Sequence, residues 1–179
     1  MRPPAVRPSA AEARNPIMCP MRALPFLVFV VVAALAAFSV QTPAERLDAS
    51  GLKGMLEGMG YELKPLNTEP GKEKWEFKVV QSDLEIFVGA ELSSSKNYVW
   101  LTVFFKPDLT ESAASAASLH RLLKGNASVQ PSQFYITSSN NLMMALPVEN
   151  RSVTPVMLRR AIEKVAADVV ATEDIWGVE

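Results

Sequence analysis

The residue types that most often carry catalysis or bind metals are scarce in this sequence. It contains a single histidine, His120, and a single cysteine, Cys19. A histidine-based metal cluster needs several such ligands, and a nucleophile pair needs a serine or cysteine beside a histidine. Because Cys19 falls near the N-terminus, outside the region that we expect to fold, the folded region has no cysteine for a disulfide or a thiolate metal site. We therefore expect no metal and no cofactor.

The remaining candidates for chemistry are carboxylates. Asp83, Glu85 or Asp108 could act with His120 as the acid and base of a small hydrolase. Asp and Glu are ordinary surface residues, however, and no spacing singles these three out. The sequence also lacks a Gly-rich phosphate loop and a telling pair of carboxylates. It therefore favours a non-enzymatic protein, with a hydrolase as the weaker alternative.

Composition and charge limit the classes of partner that this protein could bind. The chain has 179 residues, of which 49% are hydrophobic, and a formal net charge of -1. Its first 43 residues hold four arginines and one acidic residue, so the remainder is mildly acidic. Nucleic-acid binding needs a basic surface to neutralise phosphates, and we therefore exclude it. The length suits one hydrophobic core.

An uncharged apolar run, ALPFLVFVVVAALAAFSV, extends from Ala23 to Val40 and follows Met21-Arg22. This is the pattern of a secretory signal peptide, and its length also suits an uncleaved membrane anchor, so both interpretations stay open. We expect a disordered leader over residues 1–22, a signal or anchor segment over 23–43 and one domain over 44–179. Translation could start at Met1, Met18 or Met21. The predicted location is periplasmic or extracellular, or anchored in the inner membrane through residues 23–40.

The centre of the predicted domain runs from Lys74 to Lys106. Apolar residues alternate with charged ones in KWEFKV (Lys74–Val79), and the alternation returns from Leu84 to Ala90. Such a period of two predicts half-buried strands. The third run, Tyr98–Phe105, is apolar on both faces, which is typical of a strand that is covered on two sides or central in its sheet. We predict a three-stranded antiparallel meander.

Helical and strand patterns flank this meander. A capped apolar stripe predicts each of three helices, and Pro65 predicts that the strand before the meander lies at an edge. The segments are a helix after Asp48 or Ser50 that stops at Gly60, a strand over Tyr61–Leu66, a helix from Thr110 to Gly125, a hairpin of Gln133–Thr137 and Leu142–Leu146 closed by Pro147, and a helix after Thr154. The predicted fold class is α+β, a single antiparallel sheet with helices packed on it, in the order α-β-βββ-α-ββ-α. Asn126 and Asn150 also match the N-glycosylation sequon.

Four segments together with this element order resemble the YbjN-like family of bacterial proteins, whose fold is similar to that of type III secretion chaperones. The segments are LKGMLEGMGYEL (Leu52–Leu63), LHRLLKGN (Leu119–Asn126), SQFYITSSNNLMMALPV (Ser132–Val148) and VTPVMLRRAIEKV (Val153–Val165). The resemblance covers about residues 48–172. It implies a small α+β domain that binds other proteins, often self-associates and has no known chemistry. It supplies no functional residue.

We expect the contact surface on the outward side of Tyr98–Phe105 or at a sheet edge near Met143. The residues singled out are Tyr98, Trp100, Phe104 and Met143. Burial of both strand faces under helices is the competing interpretation of the same residues. The predicted function is a non-enzymatic protein- or peptide-binding module, with a structural homodimer, formed through sheet edges or the meander face, as the alternative.

Overall fold

The computed structural model describes residues 46–106 and 116–176. The predicted leader and apolar segment, Asp108 and the predicted helix start at Thr110 lie outside these ranges. The described elements are α1 (Ala49–Gly58), β1 (Lys64–Asn67), β2 (Lys74–Gln81), β3 (Leu84–Leu92), β4 (Tyr98–Lys106), α2 (Ala116–Gly125), β5 (Gln133–Ile136), β6 (Leu142–Glu149), α3 (Pro155–Ala171) and α4 (Glu173–Trp176). The order roughly matches the prediction, with the short α4 added at the end.

A single six-stranded antiparallel sheet, in the spatial order β1-β2-β3-β4-β6-β5, organises these elements. The predicted meander of β2, β3 and β4 is confirmed, as is the edge position of β1. Of the two interpretations of β4, covered on two sides or central in its sheet, the structure shows the central position, because β3 pairs with one edge of β4 and β6 with the other. The α+β class with one antiparallel sheet is therefore correct.

Alternate side chains of the strands form a core on one face of the sheet, which we call the covered face. In β4 these are Val99, Leu101 and Val103, of which the first two are fully buried. The described helices pack their buried residues against this face, including Leu52 of α1 and Leu158 of α3. At roughly 25 cal/mol per Å² of apolar area removed from water, this layer is the main source of stability.

Local signals set where the helices begin. The carboxylate of Asp48 accepts a hydrogen bond from Gly51 N at 2.7 Å at the start of α1, and the hydroxyl of Thr154 accepts one from Met157 N at 3.2 Å at the start of α3. Both predicted caps thus satisfy a backbone N–H that the first helical turn leaves open. None of the helices in the described ranges is long and apolar enough to cross a bilayer.

The prediction that Pro147 closes the hairpin is wrong, because β6 continues through it to Glu149 and Pro147 pairs with Trp100. Proline is excluded from a strand only where its missing N–H is needed by a ladder. Since β5 pairs with β6 only from Leu142 to Ala145, the paired length of β6 at Pro147 has β4 on one side alone. A proline is tolerated there for the same reason as at an edge.

Asn150 joins three segments of the chain at one end of the sheet. Its side chain is 1% exposed and accepts a hydrogen bond from Leu47 N at 3.0 Å. Its amide nitrogen donates to Leu47 O at 2.9 Å and to Lys96 O at 3.0 Å. The amide nitrogen that a sequon would offer for glycosylation is therefore buried and bonded within the fold.

Candidate functional site

The structure brings the four predicted contact residues together on the face of the sheet opposite the described helices, which we call the open face. Tyr98, Trp100 and Phe104 alternate along β4, and Met143 of β6 lies opposite Phe104. Phe104 is 51% exposed and Tyr98 is 44% exposed, while Trp100 and Met143 are half-buried. Met143 was expected near an edge, but β6 is an interior strand, and it is the register with β4 that places Met143 on this surface.

Strand register arranges the open face in rows that run across the strands. Gly89, Thr102 and Ala145 are opposite one another on β3, β4 and β6, and they form a row of small residues. Larger side chains stand on both sides of this row, with Trp100 on one side and Phe104 on the other. A larger residue at position 89 would be crowded, since a Cβ there would lie 2.6 Å from Thr102 Oγ1 and 3.0 Å from Lys74 Cε. The result is a trough with a floor of small residues.

A hollow of about 370 Å³ opens over this trough. Its lining consists of two aromatic residues, two polar residues, one acidic residue and one alanine, namely Trp100, Tyr135, Thr102, Gln133, Glu91 and Ala145. The Tyr135 hydroxyl donates to the sulfur of Met143 at 3.5 Å. Burial raises the pKa of Tyr135, and the negative charge of Glu91 raises it further. The hollow is thus partly shielded from water and lies within reach of a negative charge.

The other half of the open face, on β1, β2 and β3, is charged but neutral in sum. Three lysine–glutamate pairs cross its strands: Lys64 with Glu76 at 3.3 Å, Lys74 with Glu91 at 3.0 Å and Lys78 with Glu85 at 2.9 Å. Opposite charges directly across two strands stabilise their pairing modestly. These pairs neutralise one another within the sheet, so this half does not present a surface of single sign to a partner.

Both edges of the sheet carry features that oppose the addition of another strand. At the β1 edge Pro65 lacks an N–H, and the strand is only four residues long. At the β5 edge Asn126 occupies the backbone of Phe134: its Oδ1 accepts from Phe134 N at 2.6 Å, and its Nδ2 donates to Phe134 O at 3.3 Å. The second sequon asparagine is therefore also engaged in the fold, and the edges are poor contact sites.

The proposed hydrolase residues are not brought together. Glu85 is ion-paired with Lys78, and Asp83 occupies the turn before β3 with a φ of 67°. His120 is exposed on α2, which packs beside β5 on the covered side. β3 and β5 are three strand spacings apart, roughly 14 Å at about 4.8 Å per spacing. Within residues 46–106 and 116–176, no group of three or more His, Cys, Asp or Glu residues could hold a metal ion.

Neither a search of protein-family models nor a search of curated proteins found a match for this chain. The geometry of the open face therefore carries the functional argument. Sequence reasoning identified its exposed aromatic residues but missed the hollow, which depends on the register of four strands. The usable signal was the pair of small residues, Gly89 and Ala145, inside otherwise large-residue strands.

Proposed function

We propose that this chain is a non-enzymatic module that binds a protein or peptide, and that the open face around β4 is its contact surface. The observation that carries this proposal is the exposure of Tyr98 and Phe104 on one face of a central strand, beside the half-buried Trp100 and Met143. Aromatic residues and methionine are enriched at protein interfaces, where large side chains gain the most from losing contact with water.

Both edges of the sheet are obstructed, which supports the open face as the contact surface. Polypeptide partners commonly bind a sheet by adding a strand to an edge. Here Pro65 obstructs one edge and the Asn126 amide occupies the other at Phe134. A homodimer through the sheet edges, one form of the alternative function, is disfavoured for the same reason.

The compartment is part of the proposal. The apolar run from Ala23 to Val40 supports export or anchoring, which would put the binding surface at or beyond the membrane. The resemblance to the YbjN-like family, which implies a protein-binding role, is in line with this proposal. The distinctive residue of the hydrolase alternative is His120, and retained activity of His120→Ala would remove that alternative.

Site-specific photo-crosslinking of the full chain in living bacterial cells tests the contact surface. Benzoylphenylalanine is placed at Phe104 in one variant and at Val156 in a matched control. Val156 is a suitable control because it is also apolar and 60% exposed, but lies on α3. We expect a discrete adduct of defined mass from position 104 and none from position 156.

The partner identified from the adduct is then purified and its binding is measured directly. We expect Phe104→Ser to weaken binding by at least about tenfold, since a central aromatic contact contributes more than ~1.4 kcal/mol. Val156→Ser should leave the affinity unchanged. Equal crosslinking from both positions, or equal affinities of the two serine variants, would contradict the proposal.

A further inference from the structure

The hollow on the open face is lined by electron-rich groups. Trp100 and Tyr135 present aromatic rings, Glu91 a carboxylate, Gln133 an amide carbonyl and Thr102 a hydroxyl, and no basic side chain is among the lining residues. The face of an aromatic ring carries partial negative charge and attracts cations within about 6 Å of its centre. Ring faces and a carboxylate therefore attract the same kind of ligand group.

Other occupants suit this lining less well. An anion would lie against the Glu91 carboxylate and the aromatic rings, while Lys74, which is paired with Glu91, lies outside the lining. A purely apolar group would bury the polar atoms of Glu91 and Gln133 without replacing their hydrogen bonds to water. A cation with hydrogen-bond donors is attracted by the Glu91 carboxylate and also replaces the hydrogen bonds that Glu91 and Gln133 lose with water. The volume is sufficient, since about 370 Å³ exceeds the ~150 Å³ cavity that accommodates a benzene ring.

Among biological cations, a guanidinium group fits best. It is planar, so it stacks on a ring face, and its N–H donors lie in its own plane, where they bind a carboxylate or carbonyl at its edge. We propose that the hollow binds an arginine side chain of the polypeptide partner. This proposal rests on the proposed function, because it names the side chain by which a partner on the open face is recognised.

The ion pair between Lys74 and Glu91 offers a test of whether the hollow attracts a cation. Lys74 binds Oε1 of Glu91 at 3.0 Å from the β2 side, outside the hollow lining, and so reduces the attraction of Glu91 for a second cation. Its stem also lies over Gly89, where its Cε is a close neighbour. Lys74→Met keeps an unbranched apolar stem there and removes the competing charge. If the hollow binds a cation, this variant should bind it more tightly than the wild type.

The test uses blocked single residues as probes. Nα-acetyl-arginine amide, the matching citrulline amide and the matching norleucine amide are titrated into the full chain containing fluorotryptophan, and the fluorine resonances are followed. The Trp100 signal is assigned by its loss in Trp100→Phe. Trp75 is an internal control, because it is buried on the covered face. Concentrations should extend to ~10 mM, because one side chain offers few contacts.

We expect the arginine probe to shift the Trp100 signal and leave the Trp75 signal unchanged, with citrulline at least about tenfold weaker. Glu91→Gln should weaken the arginine probe by about tenfold, and Lys74→Met should strengthen it. Equal responses to arginine, citrulline and norleucine, or no response to any probe, would overturn the arginine site. Neither of these negative results would contradict the open face as the contact surface, because crosslinking at Phe104 tests that proposal independently. The two proposals can therefore fail separately.

Discussion

The two faces of the sheet are built from the same strands but differ in how far their side chains are buried. On β4, Val99, Leu101 and Val103 are buried under helices, while Tyr98 and Phe104 on the opposite side are about half exposed. Along this strand the covered side carries aliphatic side chains that fill space, and the open side carries aromatic rings beside polar atoms. The difference teaches that an apolar run does not by itself mean a core, because one side of the same strand can stay in contact with water.

The largest expected difference between the faces concerns truncation of a side chain. Leu101→Ala removes a fully buried side chain from the covered face and should lower the free energy of unfolding by about 2–5 kcal/mol, because it leaves a cavity. Phe104→Ala on the same strand should change it by less than about 1 kcal/mol, since half of that ring is already in water. Urea unfolding of the two variants measures both values. Similar losses would mean that the open face is also part of the core.

A second substitution tests whether the open face tolerates change everywhere. Gly89→Ala should lower the free energy of unfolding by about 1–3 kcal/mol, because the new Cβ meets Thr102 Oγ1 at 2.6 Å. Gly54→Ala in α1 is the control, with no atom within 4 Å of the new Cβ, and should stabilise by about 0.5–1 kcal/mol. Combining Gly89→Ala with Thr102→Ala should cost less than the sum of the single changes. Strict additivity would show that Thr102 does not limit this position.

The response to alkaline pH offers a subtler comparison. Burial raises the pKa of Tyr61, which packs on Phe77 of the covered face, and it raises the pKa of Tyr135 in the hollow. A tyrosine whose folded pKa lies above the unfolded value of about 10 stabilises the fold fully below that pH. The stabilisation is lost as the pH rises through the raised pKa. Tyr135→Phe and Tyr61→Phe should each flatten the loss of stability above about pH 10, measured by unfolding across that range. An unchanged slope in both variants would contradict the assignment.

The smallest effect is expected for the charged half of the open face. Lys78→Met removes the pair with Glu85, whose side chains are 51% and 58% exposed. Exposed pairs of this kind contribute about 0.2–1 kcal/mol and are screened by salt. The variant should therefore differ from the wild type by less than about 1 kcal/mol at low salt and less still at high salt. A larger effect that persists in salt would show that this half is as tightly built as the core.

The strand pattern predicted much of this fold because it is a local property. The alternation in β2 and β3 and the cap Thr154 were predicted from the sequence, whereas Asp48 was one of two candidate caps and the central position of β4 one of two interpretations. The prediction left open whether helices cover one or both faces of β4, since both carry apolar residues. Nor could it give the registers that place Met143 beside Phe104, because strand pairing depends on the whole sheet.

The candidate site was predictable in part for the same reason. Tyr98, Trp100 and Phe104 share a face through the period of two alone. The hollow joins residues of four strands, and it appears only when Glu91, Thr102, Ala145 and Tyr135 are placed in register. The two asparagines show what a local pattern cannot reveal: Asn126 and Asn150 match the glycosylation sequon, and the structure uses both amides to hold backbone groups.

The position of Asn150 has a mechanical consequence. A load applied to the chain at Arg46 reaches Leu47 first, where two hydrogen bonds connect the backbone to Asn150. Asn150 directly follows β6 and is bonded to Lys96 in the connection before β4, so the load passes toward β4 and β6 before it reaches α1. The N-terminal end of the described domain is therefore tied to interior strands of the sheet and not only to the helix that follows it.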